Sequence, residues 1–567
     1  MKRNRKGMDA KMWETGLVSS LEKIGEGLAS ASPERQLHLS ALRGETVSFQ
    51  LVIPPLQGER DSEEKKTPRR RKLKVGARVV GDTENIQLRI RQVLPVMCRR
   101  SCNPDSLDEE YLFYDARMAP DLLRDMEGSE IWQSREPQSL WVDVRAGENS
   151  PPGEYRILFS MTGEDGEALP ECEALVRVQS ACLPNLQIPH TEWFHCDAIA
   201  DYYGVEVFSG EFWSIFRNFL EVYVKRGGNT ILTPVITPPL DTERDMERTT
   251  VQLVDVEITD GGYRLDFTQM ERFLDICLEC GIRYFEICHL FTQWGAAAAP
   301  KVVARTKEGP RRIFGWDTPS DDPGYLAFLG VLLPAVRKLL SGRGLLERTF
   351  FHISDEPDLK SERYRTAQSA VRGLLEGCTI IEAVSDYEYY AKGLVDIPVC
   401  GTNYIEPFLE KRPDRLWSYY CCAQTREVPN RFISMPSWRN RIYGILLYWH
   451  KIDGFLHWGF NFYNSGCSRK KIDPYETVDG DESYPAGDPF LVYPGRDGIP
   501  EESIRIMVQD EAIADYRALT LLESRIGRQR VMELIRQEAG MELSFRQYPK
   551  GADFILRLRE RVNRMLV

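Results

Sequence analysis

The segment Thr349-Phe350-Phe351-His352-Ile353-Ser354-Asp355-Glu356-Pro357-Asp358 has the pattern of a short buried strand that ends in two carboxylates. Its first half is apolar and aromatic, as expected for a parallel strand that is covered on both faces. Pro357 cannot continue a β-ladder, and it biases the residue before it towards an extended backbone. Asp355 and Glu356 are therefore expected where a strand ends and a loop begins. In a β/α barrel that position is the mouth of the active site.

Adjacent acidic residues are not informative by themselves, because the chain has 85 Asp and Glu residues among 567. Glu109-Glu110 and Asp321-Asp322 are further pairs of this kind. The pair at Asp355 and Glu356 differs by its position directly after an apolar strand, with helical patterns on both sides. That position favours a catalytic pair, and a chance surface pair is the alternative.

Strand and helix patterns alternate on both sides of this segment, which predicts a (β/α)8 TIM-type barrel over residues 190–500. The eight strand candidates are Glu192–Ala198, Thr230–Val235, Arg283–Phe291, Thr349–Ser354, Thr379–Val384, Pro398–Thr402, Leu416–Cys421 and Gly454–Gly459. Helical patterns between them include Glu211–Lys225, Phe267–Cys280, Tyr325–Leu340, Ser361–Leu375 and Arg439–His450. Thr250–Phe267 reads as an inserted hairpin with Asp260-Gly261-Gly262 at its turn.

Residues 8–185 have a different pattern, which predicts an N-terminal antiparallel β-sandwich domain. Apolar residues alternate with polar ones, as in Ile86, Leu88 and Ile90, and turn residues separate the runs. Gly58–Lys74 is a charged run that we interpret as a solvated hairpin loop. Residues 501–567 are helical in pattern and are expected to pack on the barrel as a C-terminal segment. The polar stretch Ser465–Pro500 is either a rim over the site or a disordered loop.

Composition narrows the classes of function. The net charge of -12 argues against nucleic acid as a partner, because phosphate contacts need a basic surface.

No signal peptide follows the basic N-terminus, and no apolar run was found that is long enough to cross a membrane, so a cytoplasmic protein is expected. Thirteen cysteines in no regular framework are expected to be free thiols, and Cys277 and Cys280 to pack in a core. No metal-ligand spacing or cofactor motif appears, so neither a metal nor a cofactor is predicted.

Polar and aromatic residues gather at the predicted carboxyl ends of the barrel strands. The candidates for substrate binding are His195, Asp197, His289, Gln293, Trp294, Asn403, Tyr404, Tyr419, Trp458 and Asn461. Each residue alone has a structural alternative, such as a buried His or Asn that is satisfied by the backbone. Carboxylates, amides and aromatic platforms at one barrel end are typical of glycoside chemistry, which makes a glycan the expected partner.

Several motifs match one known family over nearly the whole chain. They are Arg43-Gly44-Glu45-Thr46-Val47-Ser48-Phe49-Gln50, Phe291-Thr292-Gln293-Trp294-Gly295, His352–Pro357, Trp449 with Gly454–Asn461, Tyr493-Pro494-Gly495 and Ser503-Ile504-Arg505. In these residues the chain resembles the glycoside hydrolase family 123 group, including the proteins first labelled domain of unknown function 4091. The resemblance implies a β-N-acetylgalactosaminidase whose Asp-Glu pair, here Asp355 and Glu356, acts in substrate-assisted catalysis.

In that mechanism the carbonyl oxygen of the sugar's own 2-acetamido group is the nucleophile. Asp355 would orient and polarise the acetamido N–H, and Glu356 would protonate the leaving oxygen as a general acid. Trp294 or Trp458 is expected to stack on the sugar. Two alternatives stay open: a conventional glycosidase that acts on a sugar without an acetamido group, and a non-catalytic glycan-binding protein.

Overall fold

The structure is a computed structural model that describes residues 14–28, 31–56, 70–81, 85–103, 106–357 and 362–567. Residues 8–13 of the predicted first domain and residues 58–69 of the predicted charged loop lie outside this range. The N-terminal part forms the strands β1 (Gly16–Ser19), β2 (Gln36–Arg43), β3 (Thr46–Ile53), β4 (Arg71–Val80), β5 (Ile86–Cys98), β6 (Arg117–Asp125), β7 (Glu130–Gln133), β8 (Gln138–Ala146), β9 (Gly153–Gly163) and β10 (Ala168–Cys182).

The rest of the chain adds strands and helices in alternation. Its strands are β11 (His190–Glu192), β12 (Thr230–Thr233), β13 (Asp255–Thr259), β14 (Gly262–Asp266), β15 (Tyr284–Ile287), β16 (Val302–Thr306), β17 (Gly309–Phe314), β18 (Thr349–Phe351), β19 (Thr379–Ala383), β20 (Ile397–Gly401), β21 (Trp417–Tyr419), β22 (Gly454–His457), β23 (Val492–Tyr493) and β24 (Glu501–Ser503). Its helices are α1 (Cys196–Tyr203), α2 (Gly210–Lys225), α3 (Thr268–Cys280), α4 (Pro323–Gly342), α5 (Glu362–Arg372), α6 (Glu388–Ala391), α7 (Glu406–Lys411), α8 (Ser437–His450), α9 (Ile504–Ile526), α10 (Arg528–Ala539) and α11 (Asp553–Met565).

Eight of these strands close into a parallel barrel. Its order is β11-β12-β15-β18-β19-β20-β21-β22, and each neighbouring pair is parallel. A separate four-stranded sheet, β14-β13-β16-β17, contains the predicted hairpin, with Thr259 paired to Gly262 across the turn. The second hairpin of that sheet, β16–β17, was not predicted.

The first barrel strand lies earlier than predicted. It was expected at Glu192–Ala198, but β11 spans His190–Glu192 and the chain enters α1 at Cys196, with His195 as its N-cap. The fourth strand was expected to run to Ser354 but ends at Phe351, since the N–H groups of Ile353 and Ser354 donate to the Glu382 carboxylate instead of to a neighbouring strand.

Two N-terminal sheets pack face to face, as predicted for a sandwich. The seven-stranded sheet has the order β1-β3-β8-β5-β6-β24-β23, and the five-stranded sheet has the order β2-β10-β9-β4-β7. Their described pairs are antiparallel except for β2–β10, which is parallel. β23 and β24 follow the last barrel strand in the chain and extend the seven-stranded sheet beyond β6.

The seven-stranded sheet also faces the barrel. One hydrophobic core joins Leu122 and Trp141 of this sheet to the barrel residues Phe285 and Ile380. A second core, which includes Phe49, fills the space between the two sheets. The sandwich and the barrel therefore share buried surface.

α4 is long and apolar enough to cross a membrane by length and composition, although the sequence analysis found no such segment. Tyr325, Phe328, Leu332 and Val336 on one face of this helix are fully buried in the large core. Length and composition do not distinguish a membrane span from the core helix of a folded domain. In this structure α4 packs as a barrel helix.

All thirteen cysteines are free thiols, as expected. Cys277 and Cys280 both lie on α3, where Cys277 is completely buried and Cys280 packs against the core. The two cysteines of this Cys-x-x-Cys sequence are therefore core-packing residues of one helix.

Candidate active site

The acidic pair lies just beyond β18, at the carboxyl end of the barrel strands. Neighbouring residues on a regular strand point to opposite faces. Here the backbone of Glu356 has a φ of 44°, in the left-handed region, so the chain turns at this residue. The carbonyl oxygen of Asp355 also accepts a hydrogen bond from the Trp294 N–H at 3.1 Å. Because of this turn, Asp355 and Glu356 both line one cavity.

The cavity has a volume of about 250 Å³. It is lined by aromatic rings, two further polar side chains, apolar contacts and two thiols besides the acidic pair: Trp193, Trp294, Tyr419, Trp458, Tyr484, Asp241, Gln293, Leu240, Ala383, Leu456, Cys421 and Cys422. Sites for drug-sized ligands typically measure about 300–1,000 Å³, so this cavity suits a single sugar residue. The aromatic walls offer flat apolar surfaces of the kind that pack against pyranose rings.

The pair carries perturbed acidities. Burial raises the pKa of Asp355 well above its usual range, the neighbouring Glu356 carboxylate raises it further, and the nearby His352 lowers it. Burial also raises the pKa of Glu356, whereas hydrogen bonds from Tyr419, at 3.5 Å, and from Trp294 lower it. Two adjacent carboxyl groups with raised pKa values titrate as a unit and hold one proton between them over a range of pH. Such a pair supplies one acid and one carboxylate at the same place.

Six of the predicted site residues meet in this cavity: Asp355, Glu356, Gln293, Trp294, Tyr419 and Trp458. Trp294 has a φ of 59° and is 49% exposed, so its ring stands at the open side. The Trp458 N–H donates to the Asp488 carboxylate at 2.9 Å, which fixes its ring against the cavity wall.

His195, Asp197 and Asn461 do not line the cavity, although they were predicted to bind substrate. The His195 N–H and carbonyl oxygen exchange hydrogen bonds with the Asn461 amide at 2.8 and 3.1 Å. Arg248 binds both Asp197 oxygens, at 2.6 and 2.7 Å, and lies 2.9 Å from the Nδ1 atom of His195. These side chains form a buried network that holds the start of α1 against the segment after β22.

The remaining three predicted residues also lie outside the cavity lining. His289 is 1% exposed and stacks on His352, with ring centroids 4.4 Å apart. The Asn403 amide oxygen accepts from Gln424 at 2.7 Å. Tyr404 is 50% exposed on the surface.

Asp241 and Tyr484 line the cavity and were missed by the sequence analysis. Asp241 has a φ of 41°, and its carboxylate accepts from the Tyr484 hydroxyl and from the Cys467 N–H at 2.8 Å. The Gln293 amide oxygen accepts from the Asp241 N–H at 2.6 Å. Asp241 lies beyond the end of β12, in a segment without periodicity that could have marked it. Tyr484 comes from the polar stretch Ser465–Pro500, which contributes to the rim of the site.

One group among the described His, Cys, Asp and Glu residues has ligand atoms close enough together to hold a metal ion. It consists of His289, His352 and Glu382, whose ligand atoms lie within 4.8 Å of one another. All three are buried below the acidic pair. Glu286 approaches the same His352 ring from the neighbouring strand.

Comparisons with known proteins concern the family and the fold of the chain. The family model described as glycoside hydrolase 123, catalytic domain, matches residues 193–522. The solved structure of a family 123 glycoside hydrolase from Clostridium perfringens superposes with a TM-score of 0.71, 14% identity and coverage of 97% of both chains. An endo-β-1,4-mannanase from Thermotoga petrophila has a TM-score of 0.33 and 12% identity, and covers 59% of this chain and 77% of its own. No curated protein matches the sequence.

Proposed function

The chain belongs to glycoside hydrolase family 123, and we propose that it is a retaining, exo-acting β-N-acetylhexosaminidase that prefers N-acetylgalactosamine. The observation that carries the proposal is the arrangement of Asp355 and Glu356, which are adjacent in sequence and share one sugar-sized cavity. Adjacent carboxyl groups are well placed to handle the 2-acetamido group and the glycosidic oxygen of one sugar residue. A cavity of this size favours removal of a terminal residue.

The roles within the pair follow from the chemistry of substrate assistance. The acetamido carbonyl oxygen attacks the anomeric carbon as the bond to the leaving oxygen breaks, and an oxazolinium ion forms. Asp355, as a carboxylate, accepts the acetamido N–H and stabilises the positive charge that develops there. Glu356 delivers its proton to the leaving oxygen and then removes a proton from the water that opens the intermediate.

A conventional glycosidase is the second candidate, because Asp241 gives the cavity a third carboxylate. Asp241 would then be the enzyme nucleophile for a sugar without an acetamido group. Its carboxylate already accepts hydrogen bonds from the Tyr484 hydroxyl and the Cys467 N–H, which lower its nucleophilicity. This arrangement favours the first candidate.

Matched aryl glycosides test the proposal. An aryl N-acetyl-β-galactosaminide should be hydrolysed, the corresponding β-galactoside should not, and a thiazoline mimic of the oxazolinium ion should inhibit competitively. The Glu356→Gln variant, purified identically, controls for contaminating glycosidases. Equal turnover of both substrates would favour the conventional glycosidase. Binding without turnover of any aryl glycoside would leave a glycan-binding protein.

The natural substrate is the next question. The family 123 enzyme from Clostridium perfringens acts on glycolipid glycans. We therefore propose glycolipid headgroups with a terminal β-linked N-acetylgalactosamine as the first natural substrates to assay. Release of the free sugar, followed by chromatography, would be the measurement.

A further inference from the structure

A second cavity, of about 510 Å³, lies at the same end of the barrel as the cavity that holds the acidic pair. It is lined by residues from the segments after β12, β15 and β17 and from the start of α5. Each of these segments follows the carboxyl end of barrel strand β12, β15 or β18. The segments after β12 and β15 also line the first cavity, through Asp241 and Trp294.

The chain limits the distance between the two cavities. Arg244 of the second cavity comes three residues after Asp241 of the first, and Ala297 comes three residues after Trp294. Three residues of fully extended chain span at most about 11 Å. A ligand made of linked sugar residues can therefore occupy both cavities.

The segment Trp294–Ala298 contributes to both cavities and is fastened on both sides. The Trp294 N–H donates to the carbonyl oxygen of Asp355 at 3.1 Å, beside the acidic pair. The Ala297 carbonyl oxygen accepts from the Ser320 N–H at 3.2 Å, beside the second cavity. The segment is therefore held in one position relative to both cavities.

The backbone of this segment is also strained. Trp294, Gly295 and Ala296 have successive φ values of 59°, 111° and 52°, in the left-handed region that only glycine enters freely. Strain of this kind persists only where the surrounding structure imposes it, and it concentrates at ligand sites and active sites. The strained turn directs the chain from the first cavity to the second.

The lining of the second cavity combines one aromatic ring with charges of both signs. Trp316 is partly exposed, and no hydrophobic cluster among the described residues includes it, so core packing does not account for the ring. Arg244 is exposed, and within the described part of the chain its guanidinium has neither an ion-pair partner nor a hydrogen-bond acceptor. Asp317 and Asp321 supply carboxylates. An uncharged sugar has an apolar face for the ring and hydroxyl groups that pair with donors and acceptors alike.

We propose that the second cavity binds the leaving group of the substrate, as one or more uncharged sugar residues that stack on Trp316. The inference deepens the proposed function and rests on it, since it assumes that a bond to a sugar leaving group is hydrolysed. The terminal sugar residue occupies the first cavity with the acidic pair. The leaving group extends past Trp294, and Arg244 donates hydrogen bonds to its hydroxyl groups.

This arrangement makes kcat/KM depend on the length of the leaving group. Contacts to parts of the substrate remote from the broken bond raise kcat/KM when they are present in the transition state. Three substrates with the same terminal sugar residue test this, with methanol, galactose or lactose as the leaving group. The two sugar substrates are each made with a 1→3 and a 1→4 linkage. The methyl group ends before the second cavity, whereas the sugars enter it.

The experiment compares kcat/KM of the wild type and Trp316→Ala on this series. We expect Trp316→Ala to lose about 10–100-fold with the better lactose substrate, the size of one buried aromatic contact, and much less with the methyl glycoside. The intrinsic reactivity of each substrate is the same for both proteins, so it cancels in the comparison. Trp316→Phe keeps a flat apolar ring and should retain most of the length dependence. Equal losses on all substrates, or no loss on any, would overturn the proposal.

Two further variants complete the test. Arg244→Ala, at an exposed position where folding is not at risk, should lose about 3–10-fold on the sugar substrates, which is the size of a hydrogen bond. Trp132→Ala is the matched control, because Trp132 is 50% exposed on β7 of the sandwich. Its kcat/KM should equal that of the wild type on every substrate. A length-dependent loss in Trp132→Ala would overturn the assignment to the second cavity.

The test is independent of the acetamido requirement. The series is built on the terminal sugar residue of whichever aryl glycoside the wild type cleaves fastest, so failure of that requirement overturns the proposed function alone. If no aryl glycoside is cleaved, the N-acetyl-β-galactosaminide series is titrated by calorimetry instead. Affinity should then rise with the length of the ligand in the wild type and not in Trp316→Ala. An affinity that is independent of length in the wild type would overturn the proposal.

Discussion

At the scale of single residues, the two members of the acidic pair should respond differently to the leaving group. Glu356→Gln removes the proton donor, so kcat/KM should fall by about 10²–10⁴-fold with a sugar leaving group and by less with a nitrophenolate. Asp355→Asn removes the charge that stabilises the oxazolinium ion, so its loss should be similar for both. The measurement is kcat/KM of each variant on both substrates. The opposite pattern would exchange the two roles, and losses of only a few-fold would make the pair structural.

Asp241 should control the alkaline limb of the pH profile of kcat/KM. Its carboxylate is an anion beside Glu356 and raises the pKa of that acid. A general acid is active below its pKa, so Asp241→Asn should move the alkaline limb of kcat/KM to lower pH. Glu243→Gln is the control, because Glu243 pairs with Arg469 in solvent, where its charge is screened. Complete loss of activity at every pH in Asp241→Asn would instead identify Asp241 as a nucleophile.

The sequence could identify the catalytic candidates but not all of their surroundings. The pair at Asp355 and Glu356 stood out because it follows an apolar strand and matches a family motif. Asp241 and Tyr484 had no such mark, since aperiodic segments carry both. His195 and Asn461 looked like site residues because they follow barrel strands. The Asn461 amide instead bonds the His195 backbone, and the His195 ring contacts the Trp458 carbonyl oxygen and Arg248. Position along the chain predicts which barrel end a residue occupies, and not which way its side chain turns.

At the scale of secondary-structure elements, α8 and α9 pack closely at one glycine. A Cβ atom added at Gly444 in α8 would lie 1.8 Å from the Ala512 carbonyl oxygen of α9. Inside an exposed helix, Gly to Ala stabilises by up to about 1 kcal/mol. At this contact the clash with a backbone atom should outweigh the gain in helix propensity. Gly444→Ala should therefore lower the free energy of unfolding by about 1–3 kcal/mol or more.

Gly330 on α4 supplies the matched control for that substitution. It is exposed, and an added Cβ would meet no atom within 4 Å, so Gly330→Ala should leave stability unchanged or raise it slightly. Thermal unfolding followed by circular dichroism compares both variants with the wild type. Equal midpoints for Gly444→Ala and Gly330→Ala would show that the two helices can move apart at no cost.

Strand boundaries show what periodicity could and could not predict at this scale. The helices α2, α3 and α8 and the hairpin β13–β14 lie within a few residues of their predicted bounds. β18 is three residues shorter than predicted because a side chain, Glu382, replaces the backbone partners of Ile353 and Ser354. Such a replacement depends on a residue that is distant in sequence, so no local pattern reveals it.

At the scale of the whole molecule, the sandwich and the barrel are joined by the strand that follows the barrel. β24 pairs with β6 of the seven-stranded sheet, and its residue Glu502 is 3% exposed. The Glu502 carboxylate binds Arg91 of the sheet at 2.6 Å and also binds Arg226 at the end of α2. Both arginines are almost completely buried. The change of pattern near residue 185 predicted two domains, whereas no local pattern indicates that the chain returns to the first sheet.

Glu502→Gln should therefore destabilise the whole molecule, whereas the same change at its neighbour should not. Removing the carboxylate takes one of two charge partners from each buried guanidinium, since Arg91 also pairs with Asp143 and Arg226 with Asp510. The cost should be up to about 3–5 kcal/mol. Glu501 pairs with Arg124, which is 47% exposed, and such surface pairs contribute at most about 1 kcal/mol. Thermal unfolding should show a large loss in Glu502→Gln and a small one in Glu501→Gln. Signals from the sandwich and the barrel should fall together, because the two share one core.

The loss in Glu502→Gln should also depend on pH. Burial alone would raise the pKa of Glu502, but Arg226 and Arg91 lower it far below its ordinary value of 4.5. A carboxylate whose pKa is lowered by folding stabilises the native state above its unfolded pKa, and that contribution disappears as the pH falls. The difference between wild type and Glu502→Gln should thus be constant near neutral pH and shrink on acidification below about pH 4.5. A difference that persists unchanged at pH 3 would mean that packing, and not the charge of Glu502, joins the two parts.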